Sequence, residues 1–373
     1  MIVLTEKLHV LQVVGAMNIG GIENMLMTLM PQMLERGIIF DFAVHGNAIG
    51  VHEKRIKELG GKVYHMPKFV GINVFTYLRV WKKLLSSHPE LRIIHGHMTS
   101  TASLYLWVAK RYGRVIIAHS HSTSTSGGKL IYWIKRMMEY PLRYLCDYLC
   151  ACSAAAADYR FGHGASKRSN YFLWHNAIDT EKFKFSRMER SKYRKRLDID
   201  NNTIVIGHVG RMIPAKNHMF LIKIFCEYHK INPTSKLLLV GDGPLREAIE
   251  EKVNELKLYN ATIFTGNVEN TAEYLSAMDV FCFPSIYEGL SVSLIEAQIN
   301  GRICLGSDVI PHEVSISDNL KFLSLSDPAI IWAEEIARLL KNAVEPRKKY
   351  NFYDVNIVSE EIRKFYTKIY AEA

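Results

Sequence analysis

The sequence predicts an α/β protein made of two Rossmann-like, doubly wound domains facing a central cleft. Three observations carry this expectation. Short apolar runs alternate with helical or polar stretches from residue 9 onward. The alternation pauses at a polar, basic stretch, 181–202, which reads as the linker and an outer helix, and then starts again with new material. The 373 residues are long for a single core and sufficient for two.

The elements follow in order. Residues 9–15 form an apolar run ending in glycine, and after a loop a helix begins near Ile22, with Met25, Leu26, Leu29, Met30 and Met33 on one face. Further strand candidates are 38–44, 62–66, 93–97, 115–120 and 148–152. Such alternation suits a parallel sheet covered by helices on both faces. The second series comprises 204–210, 236–241, 261–266, 280–284 and 303–307, with helices at 217–230 and 245–256. Residues 358–370 read as a last amphipathic helix. The expected domains are therefore 1–180 and 181–350, followed by a closing segment, 351–373.

Composition narrows the class. With 48% hydrophobic and 23% charged residues the chain is that of an ordinary globular protein rather than a disordered or fibrous one. No stretch reaches the roughly 18–20 apolar residues of a membrane span, and residues 1–15 lack the pattern of a secretory signal. Cys146, Cys150 and Cys152 lie in an apolar run without paired CxxC spacing, so they read as buried thiols and the protein as cytoplasmic. The net charge is +10. Residues 1–180 hold 21 basic and 11 acidic side chains, whereas 181–373 hold 26 of each, so the first domain carries the whole excess. An anionic partner follows: nucleic acid, an anionic leaflet or a phosphorylated substrate.

In open α/β sheets ligands sit beyond the carboxyl ends of the strands, which directs attention to three loops. The first, 15–23, holds Gly20 and Gly21 and opens into a helix, offering unpaired N–H groups to an anion such as a diphosphate. Its spacing does not fit the GxGxxG dinucleotide fingerprint, and a simple flexible loop is the alternative. The second, after 204–210, places Arg211 and Lys216 at the mouth of the second sheet, where two cations suit the charge growing on a departing diphosphate; a solvated surface pair is the plain alternative. In the third, Glu288 precedes Gly289, Leu290, Ser291 and Val292 at a helix start, and Glu296 lies eight residues further on. That spacing is about 12 Å along a helix axis. Two carboxylates so separated suit two grips on one elongated ligand, such as a sugar nucleotide, better than a hydrolytic pair.

These motifs occur in an order that resembles glycosyltransferase family 4, especially its bacterial capsule and exopolysaccharide enzymes. Glu288 with Glu296 is similar to the EX7E motif of retaining members. Gly20-Gly21-Ile22-Glu23, His119-Ser120-His121, Asn176-Ala177-Ile178-Asp179, Gly210-Arg211 with Lys216, and Gly241-Asp242-Gly243-Pro244 match in sequence, over about residues 8–310. The resemblance implies the GT-B fold, with a first domain that binds the acceptor, a second that binds the nucleotide sugar, and a closing helix that returns to the first. It implies that Arg211 and Lys216 hold the donor diphosphate, with backbone help from Gly20, Gly21, Gly289, Leu290, Ser291 and Val292. Glu288 would hold the transferred sugar, Glu296 the ribose, and Gly266 and Val268 would flank the base. His121 is similar to the active-site histidine, although His119 offers the same group two residues earlier; His95 and His97 read as structural. The implied donor is a UDP-sugar, a hexose or N-acetylhexosamine. The implied acceptor is a lipid-linked glycan at the membrane, and neither metal nor cofactor is expected.

Three features remain to be placed. Asp198-Ile199-Asp200 has the letters of a DxD metal motif but precedes Asn201 and Asn202 and reads as a turn. Residues 77–85 and 129–138 mix Lys and Arg with Trp and Tyr at helical spacing, which suits either an anionic membrane surface or helices whose Trp is buried. A UDP-sugar 2-epimerase of the same architecture, and a basic nucleic-acid-binding protein, are the alternative functions. No helix-turn-helix, zinc or RNA-binding signature supports the latter.

Overall fold

The computed structural model describes residues 7–18, 20–122, 128–342 and 352–372. The chain divides into two units, Met1–Ile178 with Asn351–Ala373, and Asp179–Tyr350.

In the first unit the strands are β1 (Leu8–Val14), β2 (Ile38–His45), β3 (Val63–Met66), β4 (Ile93–Gly96), β5 (Val115–Ser120), β6 (Tyr148–Ala151) and β7 (Tyr171–Leu173). They form one sheet in the order β3-β2-β1-β4-β5-β6-β7, with every pairing parallel. The order reverses between β1 and β4, which makes their carboxyl ends the switch point of the sheet. The helix Gly21–Glu35 buries Met25, Leu26, Leu29, Met30 and Met33, the face its spacing predicts. The closing helix Val355–Ala371 packs Val358, Ile362, Phe365, Tyr366 and Ile369 into the same core. Its start is fastened by backbone bonds: Ile178 N–H to Tyr353 O at 2.8 Å and Val355 N–H to Ile178 O at 3.0 Å. Each such apolar side chain contributes about 1.5–3 kcal/mol on burial, so the last helix is an integral layer of this unit.

The second unit contains β8 (Val205–Val209), β9 (Lys236–Val240), β10 (Thr262–Phe264), β11 (Val280–Phe283), β12 (Ile303–Ser307) and β13 (Leu320–Leu323). The sheet order is β10-β9-β8-β11-β12-β13, again parallel, with its reversal between β8 and β11. The polar stretch 181–202 contains the helix Arg187–Arg196, which is anchored by charge rather than by an apolar stripe. Arg190 and Arg194 each reach Asp279 at 2.6 Å, and Asp279 also accepts the Val205 N–H at 2.8 Å. Arg194 is only 1% exposed, so one carboxylate ties this helix to the starts of β8 and β11.

Asp198 has φ of 52° and follows that helix in a turn, with Asp198 and Asp200 exposed, in keeping with the turn reading of the DxD letters. Cys146, Cys150 and Cys152 are buried and form no disulfide among the described residues. No helix among the described residues is long and apolar enough to cross a membrane.

Candidate active site

The loop chemistry of the second unit gathers at its switch point. After β8 the chain makes a short 3-10 turn, Pro214–Lys216, then passes through Asn217 at φ 54° into the helix His218–Ile231. After β11 it continues through Pro284 to Glu288, and the Ile286 N–H donates to Ala215 O at 2.8 Å. That backbone bond brings the two loops side by side. Lys216 Nζ then lies 2.7 Å from Glu288 Oε1 and 4.6 Å from the centre of the Phe283 ring. Both partners are largely buried, at 17% and 12% exposure, so the ion pair works in a medium where charge is poorly screened. Arg211 is exposed, one residue beyond Gly210.

Beneath this pair, glycines let backbones touch. Gly241 has φ of 128°, and a Cβ there would stand 2.2 Å from Gly210 O; one on Gly243 would stand 2.6 Å from Met212 O. The bonds Met212 N–H to Asp242 O and Gly241 N–H to Gly266 O, both 2.9 Å, complete the brace. The Gly241-Asp-Gly-Pro loop therefore supports the Arg211 to Lys216 loop from behind, a structural reason for its glycines. Gly266 closes this brace, and Val268 is half-buried two residues beyond it.

Gly289, Leu290 and Ser291 are buried and lead into the helix Val292–Ile299. Ser291 occupies its N-cap position without a side-chain capping bond. Glu296 lies on this helix, half-buried, and burial pushes its carboxyl up to about 7, opposed by the charge of Lys182. Glu288 and Glu296 thus sit in different settings: one paired with a cation, the other desolvated.

In the first unit Gly20 is the extended N-cap of the helix Gly21–Glu35, with no side-chain cap of its own. The Glu23 carboxyl folds back over this turn, so that a Cβ on Gly20 would meet its Oε2 at 2.3 Å, and burial raises its pKa. The helix start that the sequence reading gives to a diphosphate thus carries a carboxylate close by.

His121 follows β5 and belongs to a larger assembly. His121 Nε2 meets His97 Nδ1 at 2.7 Å, and His97 Nε2 meets Gln12 Oε1 at 2.8 Å. Gln12 Nε2 donates to Tyr366 Oη at 3.0 Å; Tyr366 Oη meets His95 Nδ1 at 2.7 Å, and His95 Nε2 meets His119 Nδ1 at 3.1 Å. Burial is the main reason that all four imidazoles stay neutral: it drives His95, His97 and His119 well below the usual range and His121 to about 3, where the Arg160 charge adds to the effect. Ligand nitrogens of His95, His97 and His119 lie within 4.8 Å of one another, close enough for a metal. The same rings spend both nitrogens of His95 and of His97 on hydrogen bonds, and they stack, His95 on His97 at 13° and on His119 at 26°.

Lys216 and Glu288 are thus brought into contact, Glu296 lies on the helix that follows Glu288, and His121 joins a network containing His95, His97 and His119. Gln12 and Tyr366 are the members that sequence reasoning passes over. The signal for Gln12 was present, as the one polar residue within the apolar run 10–14. Tyr366 gave none, because on the apolar face of a helix a tyrosine reads as core.

The comparisons agree over most of the chain. The model of Glycosyltransferase Family 4 matches residues 19–182, and that of Glycosyl transferases group 1 matches residues 203–342. EpsF of Bacillus subtilis (strain 168), named as a glycosyltransferase, is 33% identical over 93% of this chain and 91% of its own. The capsular polysaccharide biosynthesis glycosyltransferase CapH of Staphylococcus aureus is 23% identical over 96% of this chain and 98% of its own. The UDP-Gal:alpha-D-GlcNAc-diphosphoundecaprenol alpha-1,3-galactosyltransferase of Escherichia coli is 28% identical over 61% and 62%. Among solved structures, Anabaena HepE in complex with UDP and glucose superposes with a TM-score of 0.78 at 17% identity, covering 96% of this chain and 99% of its own. With two parallel α/β units, ordered motifs and a relative of this identity and coverage, the chain belongs to the family 4 glycosyltransferases and has the GT-B fold.

Proposed function

We propose that this glycosyltransferase moves a hexose or N-acetylhexosamine from a UDP-sugar to a lipid-linked polysaccharide precursor in capsule or exopolysaccharide biosynthesis, with retention at the anomeric carbon. The observation that carries the reading is the Lys216–Glu288 pair at the switch point of the second sheet. A cation and a carboxylate in contact can divide a nucleotide sugar between them. Lys216, with Arg211, takes the diphosphate; Glu288 accepts hydrogen bonds from hydroxyls of the transferred sugar. Backbone N–H groups at Gly289, Leu290, Ser291 and Val292 complete the anion site, Glu296 takes the ribose, and Gly266 and Val268 flank the base. Gly20 and Gly21 for the diphosphate, and His121 for the donor sugar, are the further residues that the family resemblance assigns. The leaving diphosphate accepts the proton of the incoming hydroxyl on the same face, so no resident metal or cofactor is required.

The names of the relatives support the class of acceptor and donor: capsular polysaccharide for one, a diphosphoundecaprenol acceptor with UDP-Gal for another. The first unit also offers a surface for the membrane that holds such an acceptor. In the helix Lys129–Glu139, Leu130, Trp133 and Met137 are 74%, 65% and 73% exposed, beside Lys129 and Lys135. That combination suits peripheral contact with an anionic leaflet. The helix Val74–Ser87 does not share it, since Tyr77 and Trp81 are fully buried; of the two basic aromatic segments, one is a core helix.

The test is a transfer assay with Glu288→Gln, which keeps shape and removes the charge. Loss of transfer with an unchanged circular dichroism spectrum is expected; normal turnover would remove Glu288 from the mechanism.

A further inference from the structure

The histidine network has a direction, and Gln12 sets it. An amide oxygen can only accept and an amide N–H can only donate. Gln12 turns its oxygen to His97 Nε2 and its nitrogen to Tyr366 Oη. His97 therefore carries its proton on Nε2. Being neutral, it has a bare Nδ1, which accepts from His121 Nε2–H across 2.7 Å. On the other arm Tyr366 accepts from Gln12, so its own proton goes to His95 Nδ1; His95 Nε2–H then goes to His119 Nδ1. The chain ends at His119 Nε2, which is buried and has no hydrogen-bond partner among the described residues.

We propose that Gln12 and Tyr366 are positioning residues that fix His121 as a single neutral tautomer, proton on Nε2 and lone pair on Nδ1, through a relay running from the closing helix to the end of β5. This rests on the reading of His121 as an active-site residue.

The physical support is threefold. Gln12, His95 and His119 are fully buried and His97 is 6% exposed, so an unmade bond there would not be replaced by water. Stacking holds the rings in register: His119 on His121 with centroids 3.9 Å apart, His95 on His97 at 4.5 Å, and Trp174 edge-on to His95 at 4.9 Å. The charged group facing His121 is the Arg160 guanidinium, itself paired with Glu139. A cation there disfavours an imidazolium, so the network sets which nitrogen holds the proton rather than adding a second one. For an imidazole, that choice is made by the partner of the opposite ring nitrogen. The consequence for His121 is that Nδ1, the nitrogen outside the relay, is a hydrogen-bond acceptor for a substrate hydroxyl.

The experiment is long-range 1H–15N NMR on the full chain carrying 15N-histidine, with steady-state transfer kinetics alongside. The wild-type protein should show His121 protonated at Nε2 only. Gln12→Met keeps the length of the side chain and removes both polar atoms; it should give a mixture of His121 tautomers and lower kcat about tenfold, with donor KM within about twofold. Tyr366→Phe should leave the ring packing intact and, by releasing the Gln12 amide, mix the tautomers of His121 as well as those of His95 and His119; an unmixed His121 would remove Tyr366 from the relay. A wild-type His121 protonated at Nδ1 would overturn the relay without recourse to any variant, as would Gln12→Met with an unmixed His121. Normal transfer by His121→Ala is a separate failure: it would remove the active-site role of His121 whatever the tautomer.

Discussion

Lys216 Nζ and Glu288 Oε1 stand 2.7 Å apart, joined by loops that leave neighbouring strands of the second sheet and are tied by the Ile286 N–H to Ala215 O bond. Two residues 72 positions apart in sequence are therefore one chemical unit, and variants of them should behave as one. Lys216→Met and Glu288→Gln are each expected to lower kcat/KM by about 100-fold. The double variant should lose far less than the product of the two, because each change alone strands the partner's charge. Purely multiplicative losses in the transfer assay would mean that the two side chains act independently.

Glu296 gives a pH signature. Its carboxyl titrates near 7 in the folded chain against an ordinary value of 4.5, because burial disfavours the charge. Its neutral form is the one the fold prefers, so the stability it lends is full below pH 4.5 and is lost as pH rises through about 7. Glu296→Gln removes that loss. The variant should match wild type near pH 4.5 and melt at least about 2 °C higher at pH 8. Parallel melting profiles across that range would show that the carboxyl is not desolvated.

Much of this architecture could be read from residues alone, and the exceptions share causes. Central strands announced themselves because both faces are buried, as in β1 and β5. The edge strands β7 and β13 were missed, being three and four residues long and only half-buried, with too few apolar residues to form a run. The helix Arg187–Arg196 is legible as a polar outer helix within the linker, but its anchoring is not, because its anchors are guanidiniums on a carboxylate more than 80 residues away. Lys216, Glu288 and Glu296 were found from spacing and family resemblance, yet spacing gave no hint that the first two touch. The histidine relay was invisible for a related reason: register pairs Gln12 with His95 across β1 and β4, and no local pattern encodes a partner 271 residues away such as Tyr366.

Asp279 should be among the most sensitive structural positions. It receives two guanidiniums and a backbone N–H, and Asp279→Ala leaves the buried Arg194 uncompensated. A loss of about 2–4 kcal/mol is expected for the second unit, read as a lower urea midpoint of its transition. A loss below about 1 kcal/mol would show that the helix Arg187–Arg196 is held by other contacts.

The exposed apolar face of the helix Lys129–Glu139 should matter to membranes, whereas the exposed cations of the helix Val74–Ser87 should matter less. Replacing Leu130, Trp133 and Met137 by Ser should lower binding to phosphatidylglycerol vesicles by at least about tenfold. Lys82→Ala with Lys83→Ala should cost about threefold or less. Co-sedimentation separates these outcomes, and unchanged binding by the triple variant would remove this helix from the membrane contact.

Sugar transfer is tested most directly by incubating the purified chain with a panel of UDP-sugars and a diphosphate-lipid-linked sugar acceptor. Release of UDP is expected in step with a new glycolipid whose added sugar keeps the anomeric configuration of the donor. An inverted linkage would rule out the proposed mechanism, and no transfer from any UDP-sugar of the panel would rule out the proposed function.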